Sequence, residues 1–317
     1  MSLTVSEQTP RSLSVVVPVF DEEANVEPLV GGIAETLRPL GVPFEIVVVD
    51  DGSRDRTTKR LRDLLPDFPE LVVVALRRNF GQTLALQAGF DRARGEVIVT
   101  MDGDLQNDPA DIPRLLEEIQ RGADVVSGWR RDRMDTLLLR KIPSWTANRL
   151  LRWLTGVPIH DLGCALKAYR SEVVRGLDLY ADMHRFIAIL TMPLGARIRE
   201  IEVRHHARAA GRSKYGLSRI LKVVADLFSI QMVTRFREHP LRWFGLLALP
   251  FLAAALLAGA ATVASWPGTI VMPALAILTS ISFLSCLLYG VLGEVIIESA
   301  GRGRARRVLY RRWEAPQ

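Results

Sequence analysis

From Leu13 to Ser127, apolar runs of strand length alternate with stretches of helical periodicity, and few folds accommodate that alternation. The runs are Leu13 to Val19, Phe44 to Val49, Leu71 to Leu76, Val97 to Met101 and Asp124 to Ser127. Helical patterns separate them at Glu23 to Leu37, Asp55 to Leu65, Thr83 to Ala93 and Ile112 to Arg121. Strands separated by helices imply βαβ units, hence an α/β domain with a mostly parallel sheet covered on both faces. Open sheets of this kind take ligands beyond the carboxyl ends of their strands. That rule brings three polar clusters together: Pro18-Val19-Phe20-Asp21-Glu22, Asp50-Asp51-Gly52-Ser53 and Asp102-Gly103-Asp104.

The third cluster has the most definite chemistry. The apolar run Val97 to Met101 leads directly into two carboxylates one residue apart, and Gly103 lets the backbone turn so that Asp102 and Asp104 can face the same side. Hard cations such as Mg²⁺ or Mn²⁺ prefer oxygen ligands and often take one or two carboxylates together with substrate phosphates. A diphosphate is therefore the expected co-ligand. Asp50-Asp51-Gly52-Ser53 offers hydrogen bonds to a ribose or base edge, and Ser53 and Asp55 also read as caps for the following helix. Asn79-Phe80-Gly81-Gln82 repeats the pattern after the third strand, where an ordinary strand-to-helix turn explains it equally well.

Past residue 215 the composition changes. Leu241 to Ser265 and Thr269 to Ile297 are dominated by Leu, Ala, Val and Ile, and each exceeds the roughly 20 residues a helix needs to cross a hydrocarbon core. Pro250 and Pro273 are compatible with helices in that setting. Arg235, Arg237 and Arg242 precede the first segment, and Arg302, Arg304, Arg306, Arg307, Arg311 and Arg312 follow the second. The connecting Trp266-Pro267-Gly268 carries no charge, so both ends are expected on the cytoplasmic side. No cleavable signal opens the chain, which puts the α/β domain on that side too. The net charge of +6 then fits anionic headgroups better than nucleic acid, for which there is no motif. Cys164 and Cys286 are too few for a disulfide framework and fit a reducing compartment.

The other segments are read as a loose polar tail over 1–11, helices at Ile142 to Leu154 and Ser171 to Leu177, and a polar loop from Gly211 to Tyr215. Leu217 to Phe236 is amphipathic and suits either a membrane surface or a protein core. His205-His206 reads as a strand or loop near the membrane, not as a metal site. Glu294 and Glu298, near the cytoplasmic end of the second apolar segment, are expected to pair with the arginines that follow or to line the hairpin's contact with the catalytic domain. The expected organisation is an α/β domain over 12–215, an interfacial region over 216–238, two membrane helices within 239–299 and a basic tail over 300–317.

Val17 to Glu22, Val49 to Ser53, Arg78-Asn79-Phe80-Gly81 and Asp102 to Gln106 together resemble family 2 glycosyltransferases of the Rossmann-like GT-A fold. Asp161-Leu162-Gly163-Cys164, Met183-His184-Arg185-Phe186, Gly211 to Tyr215 and the terminal hairpin with Gly290 to Glu294 extend the resemblance to the polyprenyl-phosphate monosaccharide synthases. The resemblance implies inverting transfer of one sugar from a UDP- or GDP-linked donor to a polyprenyl phosphate at the cytoplasmic face of the plasma membrane. It assigns Asp102, Asp104 and Gln106 to the metal, and Asp51 to the base or ribose. Pro18, Glu22, Asp50, Gly52, Ser53, Asn79, Gly81 and Gly103 complete the donor site. Arg130, Arg140 and Ser144 fall where family members hold the acceptor phosphate, and Arg212, Ser213 and Lys214 form a candidate closing loop. Asp102, Asp104, Arg130 and Lys214 would carry the catalysis. One departure is that Asp161-Leu162-Gly163-Cys164 lacks an Arg-Asp pair seen after the glycine in some mannose synthases.

Two rival readings differ from this one at identifiable residues. A processive polysaccharide synthase would carry Gln-x-x-Arg-Trp where this chain has Gln231-Met232-Val233-Thr234, and it would need a larger membrane region. A non-catalytic membrane protein that only binds nucleotide has no need of the intact acidic motifs. Self-association through Gly290 and Gly293 is a further expectation.

Overall fold

A computed structural model describes residues 10–131, 159–175, 177, 179, 183–206, 240–264 and 270–301. These fall into two compact units, one holding a sheet and the other two long helices. The sheet has seven strands in the order β3-β2-β1-β4-β6-β5-β7. They are β1 (Leu13–Val19), β2 (Phe44–Asp50), β3 (Leu71–Ala75), β4 (Val97–Thr100), β5 (Val125–Trp129), β6 (Lys167–Arg170) and β7 (Ile198–Glu202). The helices of this unit are α1 (Val26–Leu37), α2 (Thr57–Leu64), α3 (Gln82–Arg92), α4 (Ile112–Gln120), α5 (Ser171–Val174) and α6 (Ile187–Thr191).

β1 is buried along nearly its whole length because it lies between β2 and β4, pairing in parallel with both. Its register sets Val19 beside Asp50 and Val16 beside Thr100, so the chain leaves β1, β2 and β4 at one end of the sheet. Val26, Leu29, Val30, Ile33 and Leu37 of α1 and Ile112, Leu115 and Ile119 of α4 join the Val and Ile side chains of the strands in one buried cluster. The spacing of these residues is that of a helix with a single apolar face.

The five expected strands are present, and two unexpected ones join them. β6 is antiparallel to both β4 and β5 and inserts between them, so the sheet is mostly parallel, as expected, with one antiparallel strand. β7 extends the sheet beside β5, in parallel. Several boundaries also move. α1 starts at Val26, not Glu23, because the Glu22 and Glu23 N–H groups donate to Thr57 Oγ1 (2.9 Å) and Asp55 Oδ2 (3.2 Å) across the neighbouring loop. α2 starts at Thr57, with Asp55 Oδ1 accepting from the Thr57 N–H at 2.9 Å. β5 runs on through Gly128 to Trp129. The helix expected from Ser171 to Leu177 is the single turn Ser171–Val174. The expected helices at 142–154 and 217–236, and the Gly211 to Tyr215 loop, lie outside the described residues.

The second unit contains α7 (Pro240–Ala264) and α8 (Val271–Gly301), both long and apolar enough to cross a membrane. They pack together. Phe244 and Tyr289 have ring centroids 6.0 Å apart, and the Leu241 N–H donates to Glu294 Oε2 at 3.5 Å, so Glu294 finds its partner inside the hairpin. A methyl group at Gly290 would lie 3.1 Å from Leu241 Cδ1, so this glycine serves the contact between α7 and α8.

Candidate active site

Three strand-end loops meet at the carboxyl edge of the sheet, and they are hydrogen-bonded to one another. After β2, Asp50 is fully buried, and its Oδ1 accepts from the Ser53 N–H (2.9 Å) and Oγ–H (2.6 Å) while Oδ2 accepts from Thr58 Oγ1. Ser53 Oγ accepts from the Asp21 N–H at 3.0 Å, and Asp21 Oδ1 accepts from the Arg54 N–H at 2.7 Å. Asp51 is 4% exposed, and its two oxygens accept from the Phe80 and Gly81 N–H groups, both at 2.8 Å. The two aspartates expected to meet a ribose or base also shape the loops within the protein. Gly52 completes the junction: its φ is 70°, and a Cβ there would lie 2.3 Å from the Arg78 carbonyl carbon.

The loop after β4 carries the paired carboxylates. Gly103 is buried, and a Cβ would meet Val19 Cγ1 at 2.6 Å, so the chain turns tightly over the end of β1, near Pro18. Asp102 Oδ1 accepts from Gln82 Nε2 at 2.8 Å, and Asp104 Oδ1 accepts from the Gln106 N–H at 3.2 Å. Burial, then the adjacent Asp104 charge, pushes the Asp102 carboxyl up to about 6, while Arg130 and Lys167 act in the opposite direction. A carboxylate whose proton affinity is raised by a neighbouring carboxylate forms, with it, a site for a cation. Among the described residues no group of three or more His, Cys, Asp or Glu side chains could hold a metal ion. A cation at this loop would therefore keep positions for oxygen ligands from outside the protein, which suits Mg²⁺ or Mn²⁺ and not a closed structural site.

The segment after β7 braces the same loop. Asn107 and His205 form an antiparallel bridge, the His206 N–H donates to the Gln106 carbonyl at 2.9 Å, and Gln106 Nε2 donates to the His206 carbonyl at 3.5 Å. His205-His206, read from sequence as a membrane-side strand or loop, is a brace for the acidic loop.

Arg130 leaves the end of β5 and is clamped by Asp161, with Nε to Oδ2 at 2.7 Å and Nη2 to Oδ1 at 3.0 Å; the two side chains are 9% and 10% exposed. The Asp161 N–H in turn donates to Glu200 Oε1 at 3.0 Å. The sequence reading overlooked Lys167. It is 2% exposed, its Nζ donates to the Leu162 carbonyl at 3.1 Å, and burial pulls its pKa down despite the opposing pull of nearby acidic groups that include Asp161 and Asp102. In register it lies opposite both Thr100 and Ser127, just below Asp102. Arg140, Ser144, Arg212, Ser213 and Lys214 lie outside the described residues. Glu22 and Asn79 stand at the rim, with the Asn25 side-chain amide donating to Glu22 Oε2.

Buried carboxylates shape the loops at one edge of an α/β sheet, beside an acidic pair at the end of β4. Residues 14–177 match the family described as Glycosyl transferase family 2. The chain belongs to that family and is a glycosyltransferase. It is 47% identical to the dodecaprenyl-phosphate galacturonate synthase of Rhizobium johnstonii, over 77% of this chain and 74% of the relative. It is 39% identical to the undecaprenyl-phosphate 4-deoxy-4-formamido-L-arabinose transferase of Pseudomonas paraeruginosa, over 93% of this chain and 87% of the relative. Among solved structures, glucosyl-3-phosphoglycerate synthase from Mycobacterium tuberculosis, in complex with Mn²⁺, UDP and phosphoglyceric acid, superposes with a TM-score of 0.53. That match is 20% identical and covers 73% of this chain and 82% of that one, which establishes a shared GT-A fold.

Proposed function

We propose that this protein transfers a single sugar, with inversion, from a nucleotide-diphosphate sugar to a polyprenyl phosphate at the cytoplasmic face of the membrane. The observation that carries the reading is the acidic pair Asp102 and Asp104 at the end of β4, in a chain that also bears two membrane-length helices. The names of the relatives, both transferring sugars to polyprenyl phosphates, support it.

Asp102 and Asp104, with the Gln106 side chain beside them, would hold a divalent cation, which when bound neutralises charge on the departing diphosphate. Asp50, Asp51 and Ser53 keep the donor loops in shape before the substrate arrives. Gly52 and Gly103 let those loops pack tightly against Arg78 and Val19, and Pro18 and Gly81 complete the donor side. The acceptor's phosphate oxygen forms a bond to the anomeric carbon as the bond from that carbon to the diphosphate breaks, its electron pair leaving with the nucleoside diphosphate. A phosphate monoester is already anionic near neutral pH, so the attack needs no general base. Arg130 is oriented by Asp161 and has Nη1 remaining for the acceptor phosphate. Arg140, Ser144, Arg212, Ser213 and Lys214 are the further cations and hydroxyl donors we assign to that anion.

The test is transfer of radiolabel from UDP- and GDP-sugars to undecaprenyl phosphate in detergent with Mn²⁺ or Mg²⁺, with EDTA and Asp104→Ala as controls. A lipid-linked product lost in both controls is expected. Near-normal turnover by Asp104→Ala would sink the metal assignment, and no lipid product from any donor would sink the function.

A further inference from the structure

Residues directly opposite one another on neighbouring strands share a face of the sheet. The registers set Thr100 of β4 opposite Lys167 of β6, Lys167 opposite Ser127 of β5, and Ser127 opposite Glu200 of β7. One polar row therefore crosses four strands, whereas the next row on the same face is Ile98, Tyr169, Val125 and Ile198. Thr100, Lys167 and Ser127 are buried, and the Glu200 side chain is 7% exposed. The row grips a single segment, residues 160–165. Thr100 Oγ1 donates to the Ala165 carbonyl at 2.8 Å and Lys167 Nζ to the Leu162 carbonyl at 3.1 Å. Glu200 Oε1 accepts from the His160 and Asp161 N–H groups at 2.8 and 3.0 Å. Asp161 in that segment clamps Arg130, and Thr100 lies two residues before Asp102. The row thus leads from the acidic pair to the acceptor-side cation.

An ammonium group is a costly member of such a row. A neutral amide can hold a carbonyl without that cost, so the charge itself calls for a cause. Its field reaches both ends of the row: Lys167 acts on Asp102, and Asp161 and Asp102 act on Lys167. A cation arriving at Asp102 meets Lys167 as a like charge, and an anion arriving at Arg130 meets it as an opposite one. The charge of Lys167 therefore opposes the divalent cation, while its hydrogen bond to Leu162 supports the segment that clamps Arg130.

We propose that Lys167 is a positioning residue for the transfer: its hydrogen bond keeps residues 160–165, and with them Arg130, in place for the acceptor phosphate, while its charge sets how tightly the acidic pair takes its cation. The inference rests on the metal and acceptor assignments above, and its test separates it from them. Full-length wild type, Lys167→Met, Lys167→Arg and Thr100→Val are compared at pH 8. Calorimetric titration with Mn²⁺ alone follows the cation, and transfer to undecaprenyl phosphate follows the reaction. Lys167→Met should bind Mn²⁺ about three- to tenfold more tightly, because a like charge is gone. Its kcat/KM for the lipid should fall about 10- to 100-fold, as expected when a substrate-holding group is misplaced. Lys167→Arg keeps the charge and should return Mn²⁺ affinity to within about twofold of the wild type. Thr100→Val loosens the same segment without removing a charge, so it should slow transfer with no gain in Mn²⁺ affinity. A residue that only props the fold would weaken Mn²⁺ binding and turnover together in every variant. That pattern overturns the proposal, as does an unchanged Mn²⁺ affinity or a normal turnover in Lys167→Met, and each leaves the function itself standing if the wild type makes the lipid product. A wild type that binds no Mn²⁺ defeats the metal assignment and this proposal with it. Tighter Mn²⁺ binding by Lys167→Met upholds the role of the charge even if no lipid product forms, an outcome that defeats only the reading of the acceptor.

Discussion

Asp102 is held at the balance point between two sets of neighbours. Burial and Asp104 raise its pKa to about 6, while the charges of Arg130 and Lys167 keep it from rising further. In the metal-free protein the folded state therefore binds more protons than the unfolded chain between the ordinary value of 3.8 and about 6. The contribution of Asp102 to stability falls as pH rises through that window and stays at its low level above it. Cation binding requires the ionised form, so Mn²⁺ should release nearly one proton per site well below pH 6, about half of one at about pH 6 and almost none near pH 7.5. Calorimetry in two buffers of different ionisation enthalpy measures that number, and proton release that does not change with pH would contradict it. Lys167→Met removes one counter-charge and should move the transition to higher pH. Asp161 is a different case, because its partner stays charged at every accessible pH. Asp161→Asn would leave a buried guanidinium without its countercharge and should destabilise the domain by about 3–5 kcal/mol, seen as a lowered melting temperature.

Among the elements, the ends of the strands carry more of the site than their interiors do. β1, β2 and β4 were legible because Val and Ile fill them, and the acidic clusters after them followed from the rule that ligands meet a sheet at its carboxyl edge. β6 was not legible. Its sequence Lys167-Ala168-Tyr169-Arg170 holds two cations in four residues, and only the neighbouring β4 and β5 make it a strand. β7, Ile198-Arg199-Glu200-Ile201-Glu202, holds three charged residues in five and no strict alternation, so it too becomes a strand only beside β5. The junction of the β2 and β3 loops yields a prediction at this scale. Gly52→Ala would force a side chain into Arg78 backbone at a positive φ and should cost on the order of 2–4 kcal/mol. Donor affinity should fall with it, because Asp51 organises the Phe80-Gly81 turn across that junction. Thermal unfolding together with nucleotide binding tests both, and an unaltered melting temperature would show that the loop adapts.

For the whole molecule, α7 and α8 set the working environment. Both expose rows of Leu, Ile and Val along their length, a surface that water disfavours and a hydrocarbon core accepts. The full chain should stay with membranes through an alkaline carbonate wash, and release into the supernatant would contradict a spanning hairpin. The basic segments at 235–242 and 302–312 place both hairpin ends on the cytoplasmic side in our reading, which protease protection in oriented vesicles can check.

Hydrophobic periodicity and local chemistry by themselves determined the βα alternation, the two membrane-length helices and the acidic pair after β4. These are properties of contiguous residues, set by burial of one face or by a turn of the backbone. The strand order, the insertion of β6, the clamp of Asp161 on Arg130, the buried Lys167 beneath Asp102 and the polar row that holds residues 160–165 were decided only by the tertiary structure. Each joins residues distant in sequence, and a charged side chain shows its role only when the partner that offsets its burial is known.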